Sequence, residues 1–378
     1  MHTEDPSHET TLLAVIGMSP AVLTETLWAL AREAEPVIPR RIIVVTTLAG
    51  RQRTIRDLFE SPESGGPCVW DALREALKSE GHDLDGCLRF GTTPDDIRVI
   101  TATDPATGRG IELEDLRSMH ENEAAADFLL DQVRAITANP DTRLIASIAG
   151  GRKTMGALLY ACLTLAGREE DRITHVLVNA PFDTSPGFFF PGQTLTDPKL
   201  AGLDPQIELA DVPFVPMRNL FHRELGRAVG TFSSLVASCR SEIRHRAAED
   251  LHIEIPLNRP ALRVNHSEAR LTEREHHLLI CLAKLAKTNR PPIPSYGEAL
   301  DALAAHQAEW DSLVEDGRLP RGTPSAAGFQ DEQDVRRVLS DLRKKVRTLG
   351  HHGAILADAL PTRGRFSLDV PGALIHLA

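Results

Sequence analysis

The sequence lacks the features by which membrane, secreted and metal-binding proteins are identified. No apolar run approaches the roughly 20 residues that cross a bilayer, and the polar, acidic residues 1–10 do not resemble a secretory signal. The five cysteines are scattered without a CxxC pair, and neither an HExxH motif nor a zinc-finger spacing occurs. We therefore expect a cytoplasmic protein with buried thiols, no metal, no cofactor and no contact with a membrane.

The charge of the chain is negative overall but unevenly distributed. The 378 residues are 42% hydrophobic and 25% charged, which is typical of a soluble globular protein with two domains. A net charge of −11, taken alone, argues against binding to nucleic acid. Residues 251–378, however, carry 17 basic and 16 acidic side chains, with eight basic against two acidic between 336 and 365. A nucleic-acid partner therefore stays open for the C-terminal part.

Apolar strands and amphipathic helices alternate through the first part of the chain. Strands are predicted at 11–17, 41–47, 97–102, 143–149 and 173–179, and helices at 20–34, 51–59, 68–80, 112–137 and 154–166. This alternation predicts a parallel sheet with helices on both faces. Residues 181–213 are rich in Pro, Gly and Phe and are expected to be irregular.

Two loops lie where such sheets bind ligands, at the carboxyl ends of strands. Gly17–Pro20 follows the first predicted strand, and Gly150–Thr154 (GGRKT) follows the fourth. The second loop is not a P-loop, because Arg152 stands where GxxxxGK[ST] requires glycine, and the dinucleotide pattern GxGxxG is absent. A glycine-rich turn at a helix start, with Arg152 and Lys153, favours an anionic ligand such as a phosphate. The alternative is a tight turn with solvated basic side chains.

Ser19 has two open interpretations. Its hydroxyl either donates to a bound phosphate or caps the helix that Pro20 begins.

The C-terminal part has a different pattern. A helical connector is predicted at 217–250, short strands at 252–270, helices at 271–287 and 296–310, a loop at 318–330, and a basic helix at 331–349 followed by a hairpin at 359–370. Thr272 and Glu275 have the spacing of a capping box. The basic helix is amphipathic, and its inward residues are predicted to be Val335, Leu339, Leu342 and Val346.

Three motifs resemble the CARF family, the CRISPR-associated Rossmann-fold sensors: GMSPAVLTETLWAL, SIAGGRKTMGALLY and LADVPFV, within residues 10–215. In that family a dimer binds cyclic oligoadenylate, the second messenger of type III CRISPR complexes, across its two-fold axis. The resemblance implies a Rossmann-like α/β domain, a homodimer and a ring of four or six adenylates. The implied ligand-binding residues are Gly17, Met18, Ser19, Pro20, Gly150, Gly151, Arg152, Lys153 and Thr154.

Some members of the CARF family also cleave the ring. This chain resembles these ring nucleases at Ser19 and Lys153. The reaction implied is metal-independent: a ribose 2′-hydroxyl attacks the adjacent phosphate, and Lys153 offsets the developing negative charge. Sensors that only bind the ring have similar residues, so binding and cleavage both remain open.

Residues 251–378 resemble the winged-helix DNA-binding domain of bacterial response regulators, through LRVNHSEARLTEREHHLLICLA, DVRRVLSDLRKKVRTLG and LPTRGRFSLDV. The stretch 289–330 is longer than in that family. The resemblance implies that double-stranded DNA is contacted from the basic helix and from the hairpin, the wing. The residues implied are Arg336, Arg337, Arg343, Lys344 and Arg347 on the helix and Arg363 and Arg365 on the wing. The alternative is a winged helix used for dimerisation or protein contact.

A third possibility is a ligand-activated ribonuclease of the HEPN type, whose motif is an arginine followed four to six residues later by a histidine. The pairs Arg240–His245 and Arg347–His352 fit this loose spacing. HEPN domains are all-helical, whereas 359–370 predicts a β-hairpin, so this alternative ranks last.

The domain organisation that we predict is therefore a Rossmann-like domain (1–215), a helical connector (216–250) and a winged helix of α+β type (251–378).

Overall fold

The computed structural model describes residues 9–378 except 64, 105, 194–197, 201, 222–229, 249, 289, 316–327 and 363–364. The chain folds as two compact units, Met1–Val236 and Ala237–Ala378, and each has its own hydrophobic core. The division falls inside the segment 216–250 that the sequence predicts as a connector. Within the described part of the chain, no helix is both long and apolar enough to cross a membrane.

The first unit is built on a six-stranded sheet in the order β3-β2-β1-β6-β7-β8. Its strands are β1 (Glu9–Val15), β2 (Arg41–Thr46), β3 (Ile97–Val99), β6 (Thr142–Ser147), β7 (Arg172–Val178) and β8 (Ile207–Asp211). All neighbouring pairs are parallel except β7 and β8. In register, Leu13 of β1 lies between Ile43 and Ala146. The central strands are almost continuously apolar because helices cover both faces. A separate hairpin consists of β4 (Thr101–Thr103) and β5 (Gly110–Glu112).

Among the described residues, five helices pack around this sheet: α1 (Ala21–Leu30), α2 (Leu48–Phe59), α3 (Val69–Ser79), α4 (Met119–Thr137) and α5 (Lys153–Ala166). On one face, Leu12 and Ala14 of β1 pack against Leu23 and Leu27 of α1. The alternate residue Leu13 points to the other face. Helices α4 and α5 pack side by side. The first loop of interest therefore joins β1 to α1, and the second joins β6 to α5.

Three elements of the first unit differ from the prediction. The strand predicted at 97–102 is divided into β3 and β4, and β4 belongs to the separate hairpin. Ile207–Asp211, in the segment expected to be irregular, is strand β8, which runs antiparallel to β7 and pairs with its edge. The sheet is therefore mixed rather than wholly parallel. The helix predicted at 112–137 begins only at Met119, because Ser118 and Glu121 form a capping box that fixes its start.

The second unit is an α+β fold with a four-stranded sheet in the order β11-β10-β9-β12. Its strands are β9 (Ile253–Ile255), β10 (Ala261–Val264), β11 (Ser267–Arg270) and β12 (Ile375–Leu377), and its helices are α7 (Glu273–Lys287), α8 (Tyr296–Glu315), α9 (Glu332–Arg347) and α10 (Gly350–Ala359). Helix α6 (Phe232–Ala248) crosses the division between the units, and short 3₁₀ turns occur at Phe182–Thr184, Pro198–Leu200, Arg218–Phe221 and Gly372–Leu374.

Two local predictions for the second unit are confirmed. The Thr272 hydroxyl accepts from the Glu275 backbone N–H, and the Glu275 carboxylate accepts from that of Thr272, which completes the capping box of α7. The predicted inward face of α9 is buried in the core of the unit. Its members are Val335, Leu339, Leu342 and Val346.

The hairpin predicted at 359–370 is wrong as far as its residues are described. Residues 350–359 form helix α10, and among the described residues from 360 to 370 only Phe366 pairs, in an isolated bridge with Ile293. The apolar residues Phe366, Leu368 and Val370 enter the core, so their alternation is that of buried side chains without a paired strand. Strand β12 joins the sheet instead, parallel to β9.

Candidate functional site

The two glycine-containing loops meet at one edge of the first unit's sheet. Strands β1 and β6 are parallel neighbours, so the loops that follow them emerge side by side. A Cβ atom on Gly17 would lie 3.0 Å from the Gly151 Cα, and one on Gly150 would lie 2.5 Å from the Val15 carbonyl oxygen. Gly151 has a positive φ of 79°. Close backbone packing therefore explains why glycine occupies these positions.

The first loop rests on a hydrogen-bonded base. The Thr46 hydroxyl donates to the Ile16 carbonyl at 2.7 Å, and the Ile16 amide donates to the Val45 carbonyl at 3.0 Å. A Cβ on Gly50, in the first turn of α2, would lie 3.2 Å from the Gly17 carbonyl oxygen. Contacts from β2 and α2 thus support the backbone of Gly17.

Ser19 does not cap α1. Pro20 is the N-cap residue, its backbone is helical, and no side chain bonds to the start of the helix. The capping interpretation of Ser19 is therefore wrong, and its side chain is exposed on the loop beside Met18, which is 63% exposed. Pro20, in contrast, is buried.

The second loop leads into α5, and no side chain caps the start of this helix. Arg152 is the N-cap residue with an extended backbone, and Lys153 is the first helical residue. The first residues of α5, Lys153 and Thr154, are exposed. The amino end of this helix consequently presents backbone N–H groups and a partial positive charge to solvent. This is a favourable environment for an anion.

The two cations of this loop differ in their partners. The Arg152 guanidinium makes a two-point contact with Asp115, with Nε donating to Oδ1 at 2.9 Å and Nη2 donating to Oδ2. Arg117 Nε also donates to Asp115, at 3.0 Å. Hydrogen bonding from Arg152 holds the pKa of the Asp115 carboxyl well below its usual range. Lys153 has no hydrogen-bond or ion-pair partner among the described residues, so the loop offers one unpaired cation where the sequence predicted two.

No motif or spacing singled out Asp115. It lies 37 residues before Arg152 and inside a stretch that was predicted to be helical. Its contact depends on the fold, which brings the segment before α4 next to the loop before α5.

A buried carboxyl group lies on α1 behind the first loop. Glu25 is 6% exposed, and burial raises its pKa to about 7. Sequence reasoning missed this residue because nothing in an amphipathic pattern distinguishes it from a surface glutamate.

In the second unit, α9 presents several of the predicted DNA-binding residues to solvent. Arg336, Arg337, Lys344 and Arg347 are exposed. Three of these four form ion pairs: Arg336 with Glu332 at 3.2 Å, Lys344 with Asp341 at 3.5 Å and Arg347 with Asp358 at 2.9 Å. Of the predicted wing residues, Arg365 is exposed, and Arg363 lies outside the described residues. The described part of 359–370 forms no hairpin on which a wing would be built.

Arg343 has a structural role that the sequence did not indicate. Its guanidinium donates to the carbonyl oxygens of Ala357 at 3.2 Å, Leu360 at 3.4 Å and Pro361 at 2.6 Å. These carbonyls lie at or just beyond the carboxyl end of α10. The last carbonyls of a helix have no N–H partner within the helix, so they need another donor. The side chain is thus directed at the protein rather than at a ligand.

The pairs proposed for a HEPN motif are not brought into a recognisable site. Arg240 lies on α6, and the side chain of His245 is outside the described residues. Arg347 pairs with Asp358, while His352 lies on the next helix, α10. The second unit also contains a four-stranded sheet, which an all-helical domain lacks. Where the structure is described, no group of three His, Cys, Asp or Glu side chains is placed to hold a metal ion.

Comparison with known proteins gives one family. Residues 19–243 match the family model described as CRISPR-associated protein NE0113 (Cas_NE0113). No curated protein sequence matches the chain. Among solved structures, the chain is similar to Enterococcus italicus Csm6 bound to cyclic hexa-2′-fluoro-hexa-dAMP, with 9% identity over 90% of this chain and 80% of that one and a TM-score of 0.27. A TM-score this low does not establish a common fold, so the likeness supports no statement about a ligand.

Proposed function

The chain belongs to the CRISPR-associated protein NE0113 family, and from this premise we propose that its first unit binds a cyclic oligoadenylate as a sensor in type III CRISPR defence. The observation that carries the proposal is the meeting of the loops Gly17–Pro20 and Gly150–Thr154 at the carboxyl ends of β1 and β6. Such an edge is where open α/β sheets bind ligands.

The chemistry of the site suits a phosphate-containing ring. The exposed Lys153 ammonium group and the uncapped amino end of α5 attract a phosphate. The close backbone approach of Gly17 and Gly151 keeps these two positions free of side chains, so a ring can reach the backbone there. Because a ring of four or six adenylates is itself symmetric, a homodimer supplies the same loops twice across a two-fold axis. Homodimerisation is therefore part of the proposal.

Titration calorimetry with cyclic tetra-adenylate and cyclic hexa-adenylate tests this function. We expect one ring to bind per two chains and Lys153→Gln to weaken binding by about tenfold or more, because a charge-assisted contact to phosphate is lost. Lys78→Gln is the matched control, since Lys78 is an exposed lysine on α3 paired with Glu75. Failure of both rings to bind the wild-type protein contradicts the proposal.

A second candidate is ring cleavage, which the exposed Ser19 beside the Lys153 loop favours. In this reaction a ribose 2′-oxygen attacks the adjacent phosphorus, the bond to the 5′-oxygen breaks, and the hydroxyl proton is released while the 5′-oxygen gains one. The products are a 2′,3′-cyclic phosphate and a 5′-hydroxyl. Lys153 would stabilise the extra negative charge of the transition state.

Incubating radiolabelled ring with wild type, Ser19→Ala and Lys153→Ala distinguishes cleavage from binding alone. Linear products from wild type that are lost in Lys153→Ala support the nuclease. An intact ring after prolonged incubation with excess protein excludes cleavage and leaves the sensor.

For the second unit, the proposal is binding to double-stranded DNA or to a partner under ligand control. The exposed basic side chains of α9 support it. Replacing Arg337, which is exposed and central on the helix, with Gln should weaken duplex binding and reduce its salt dependence. A mobility-shift assay at low salt, with and without the ring, is the test, and no shift under either condition contradicts DNA binding.

A further inference from the structure

We propose that Asp115 is a positioning residue for the glycine-rich loop: by holding Arg152 it fixes the conformation in which Lys153 and the amino end of α5 meet the anion. The inference rests on the proposed binding of cyclic oligoadenylate. It assigns to Arg152 the role of an anchor rather than that of a second ligand-binding cation.

The geometry of the pair is that of a two-pronged contact. The Nε and Nη2 atoms of Arg152 donate to the two carboxylate oxygens of Asp115. Such a contact fixes the direction of the guanidinium plane as well as its distance, which a single hydrogen bond does not. Since Arg152 is the N-cap residue of α5, fixing its side chain also fixes the start of that helix.

Asp115 is itself held in place. The Leu113 amide donates to the Ile100 carbonyl at 2.9 Å, and the Leu113 carbonyl accepts from the Leu48 amide at 2.9 Å. On the other side, the capping box of α4 fixes Ser118, whose amide donates to Glu121 at 2.6 Å. The segment that presents Asp115 is therefore anchored at both ends.

The loop needs such an anchor. Gly150 and Gly151 precede Arg152, and glycine has more conformational freedom than any other residue. No side chain caps α5. Among the contacts of the described residues, the Asp115–Arg152 pair is the side-chain contact that ties the exposed part of the loop to another element. Preorganisation of this kind raises affinity by reducing the entropy lost on binding.

The direction in which Asp115→Asn changes the affinity for the ring distinguishes positioning from electrostatics. Asp115→Asn removes a negative charge near an anion, so electrostatics alone predicts tighter binding of the ring. Positioning predicts weaker binding, by about tenfold, because small displacements of binding groups are costly. The electrostatic gain is small because Arg152 and Arg117 already face the Asp115 carboxylate.

Three further variants separate positioning from charge. Arg152→Lys keeps the charge but cannot make the two-pronged contact, so it should weaken binding like Asp115→Asn. Asp115→Glu keeps the carboxylate and should recover part of the affinity. Glu9→Gln is the control, because Glu9 is an exposed carboxylate paired with Arg40 at 2.7 Å, at the opposite end of β1, and its loss should leave the affinity unchanged.

The measurement is titration calorimetry with the ring that binds wild type, and thermal melting confirms that each variant is folded. Weaker binding by both Asp115→Asn and Arg152→Lys, with recovery in Asp115→Glu, supports the inference. Binding by Asp115→Asn as tight as or tighter than wild type overturns it, while wild-type affinity in Arg152→Lys overturns it even where Asp115→Asn does not fold. If wild type binds neither ring, the proposed function itself fails.

Discussion

In the first unit a single unpaired lysine stands at a site shaped by backbone packing, whereas in the second unit most exposed basic residues of α9 are already paired with acidic side chains. The interiors differ as well: burial raises the pKa of the Glu25 carboxyl in the first unit, whereas in the second it lowers the pKa values of the His277 and His306 imidazoles. The number of basic residues is therefore a poor guide to the positive charge that a surface offers to a ligand. What counts is which cations the fold leaves without a partner.

The substitution with the largest predicted loss of stability asks whether the site of the first unit depends on backbone packing. Gly150→Ala would place a Cβ 2.5 Å from the Val15 carbonyl oxygen, which is backbone and cannot move aside cheaply. We expect the free energy of unfolding of the first unit to fall by about 3 kcal/mol, as for other overpacked sites. Urea denaturation measures it. Gly110→Ala is the control, since nothing lies within 4 Å of its added Cβ, and equal effects of the two changes would contradict the packing argument.

The next effect concerns the buried carboxyl group. Burial raises the pKa of Glu25 to about 7, so between pH 4.5 and 7 the folded state keeps a proton that the unfolded state releases. The free energy of unfolding therefore falls as pH rises through this window. Glu25→Gln should remove this loss and stabilise the first unit by about 2 kcal/mol at pH 8 but by little at pH 4. A stability difference independent of pH would show that Glu25 is not buried with a raised pKa.

The second unit should respond to pH in the opposite direction. Burial, together with the nearby His276 and Lys284, lowers the pKa of His277 to about 4. Burial, together with His277 and Lys284, lowers the pKa of His306 to about 3. Below pH 6.5 the unfolded state gains protons that the folded state does not bind, so stability falls as pH falls from 6.5 toward 4.

Urea denaturation of the second unit across this pH range checks the prediction. His277→Leu should reduce the acid sensitivity by about 2 kcal/mol between pH 6.5 and 4. His252→Leu is the control, because His252 is exposed on the same unit. If both variants keep the wild-type pH dependence, the loss of stability comes from other groups.

The smallest predicted change in stability distinguishes the hydrogen-bonding role of Arg343 from the exposed position of Arg337, both on α9. Arg343→Gln removes hydrogen bonds to three carbonyls and should destabilise the second unit by about 1–2 kcal/mol. Arg337→Gln should change stability by less than about 0.5 kcal/mol, as is usual for an exposed side chain. Thermal unfolding of both variants is the measurement. Equal stability would return Arg343 to the set of residues free to contact a ligand.

Local sequence patterns predicted the parts of the fold that depend on neighbouring residues. The apolar runs around β1, β2 and β6 predicted buried strands, and Thr272 with Glu275 predicted the start of α7. Strand β8 was not predicted, and the hairpin predicted at 359–370 does not form among its described residues. Both errors arise because the pairing of a strand depends on partners that are distant in the sequence. Leu368 and Val370 alternate like strand residues, yet they fill a core position without pairing.

The same limit applies to the candidate site. The positions of Gly17, Gly150 and Lys153 at the carboxyl ends of strands followed from the alternation of strands and helices. The pairing of Arg152 with Asp115 did not, because it joins two segments through the tertiary fold. The resemblance to a winged helix implied that Arg343 contacts DNA, but its guanidinium donates to the carbonyls of Ala357, Leu360 and Pro361.

The pairing of β12 with β9 has a consequence for how the second unit forms. Ile253 and Ile375 are partners in the sheet although they are more than a hundred residues apart in the chain. Closing so long a loop is entropically costly before any contact is gained, and non-local pairing slows folding. Helices α7 to α10 can form from local contacts first, so the sheet should be completed in a late step. A kinetic refolding experiment would then separate a fast helical phase from a slower one in which β12 docks.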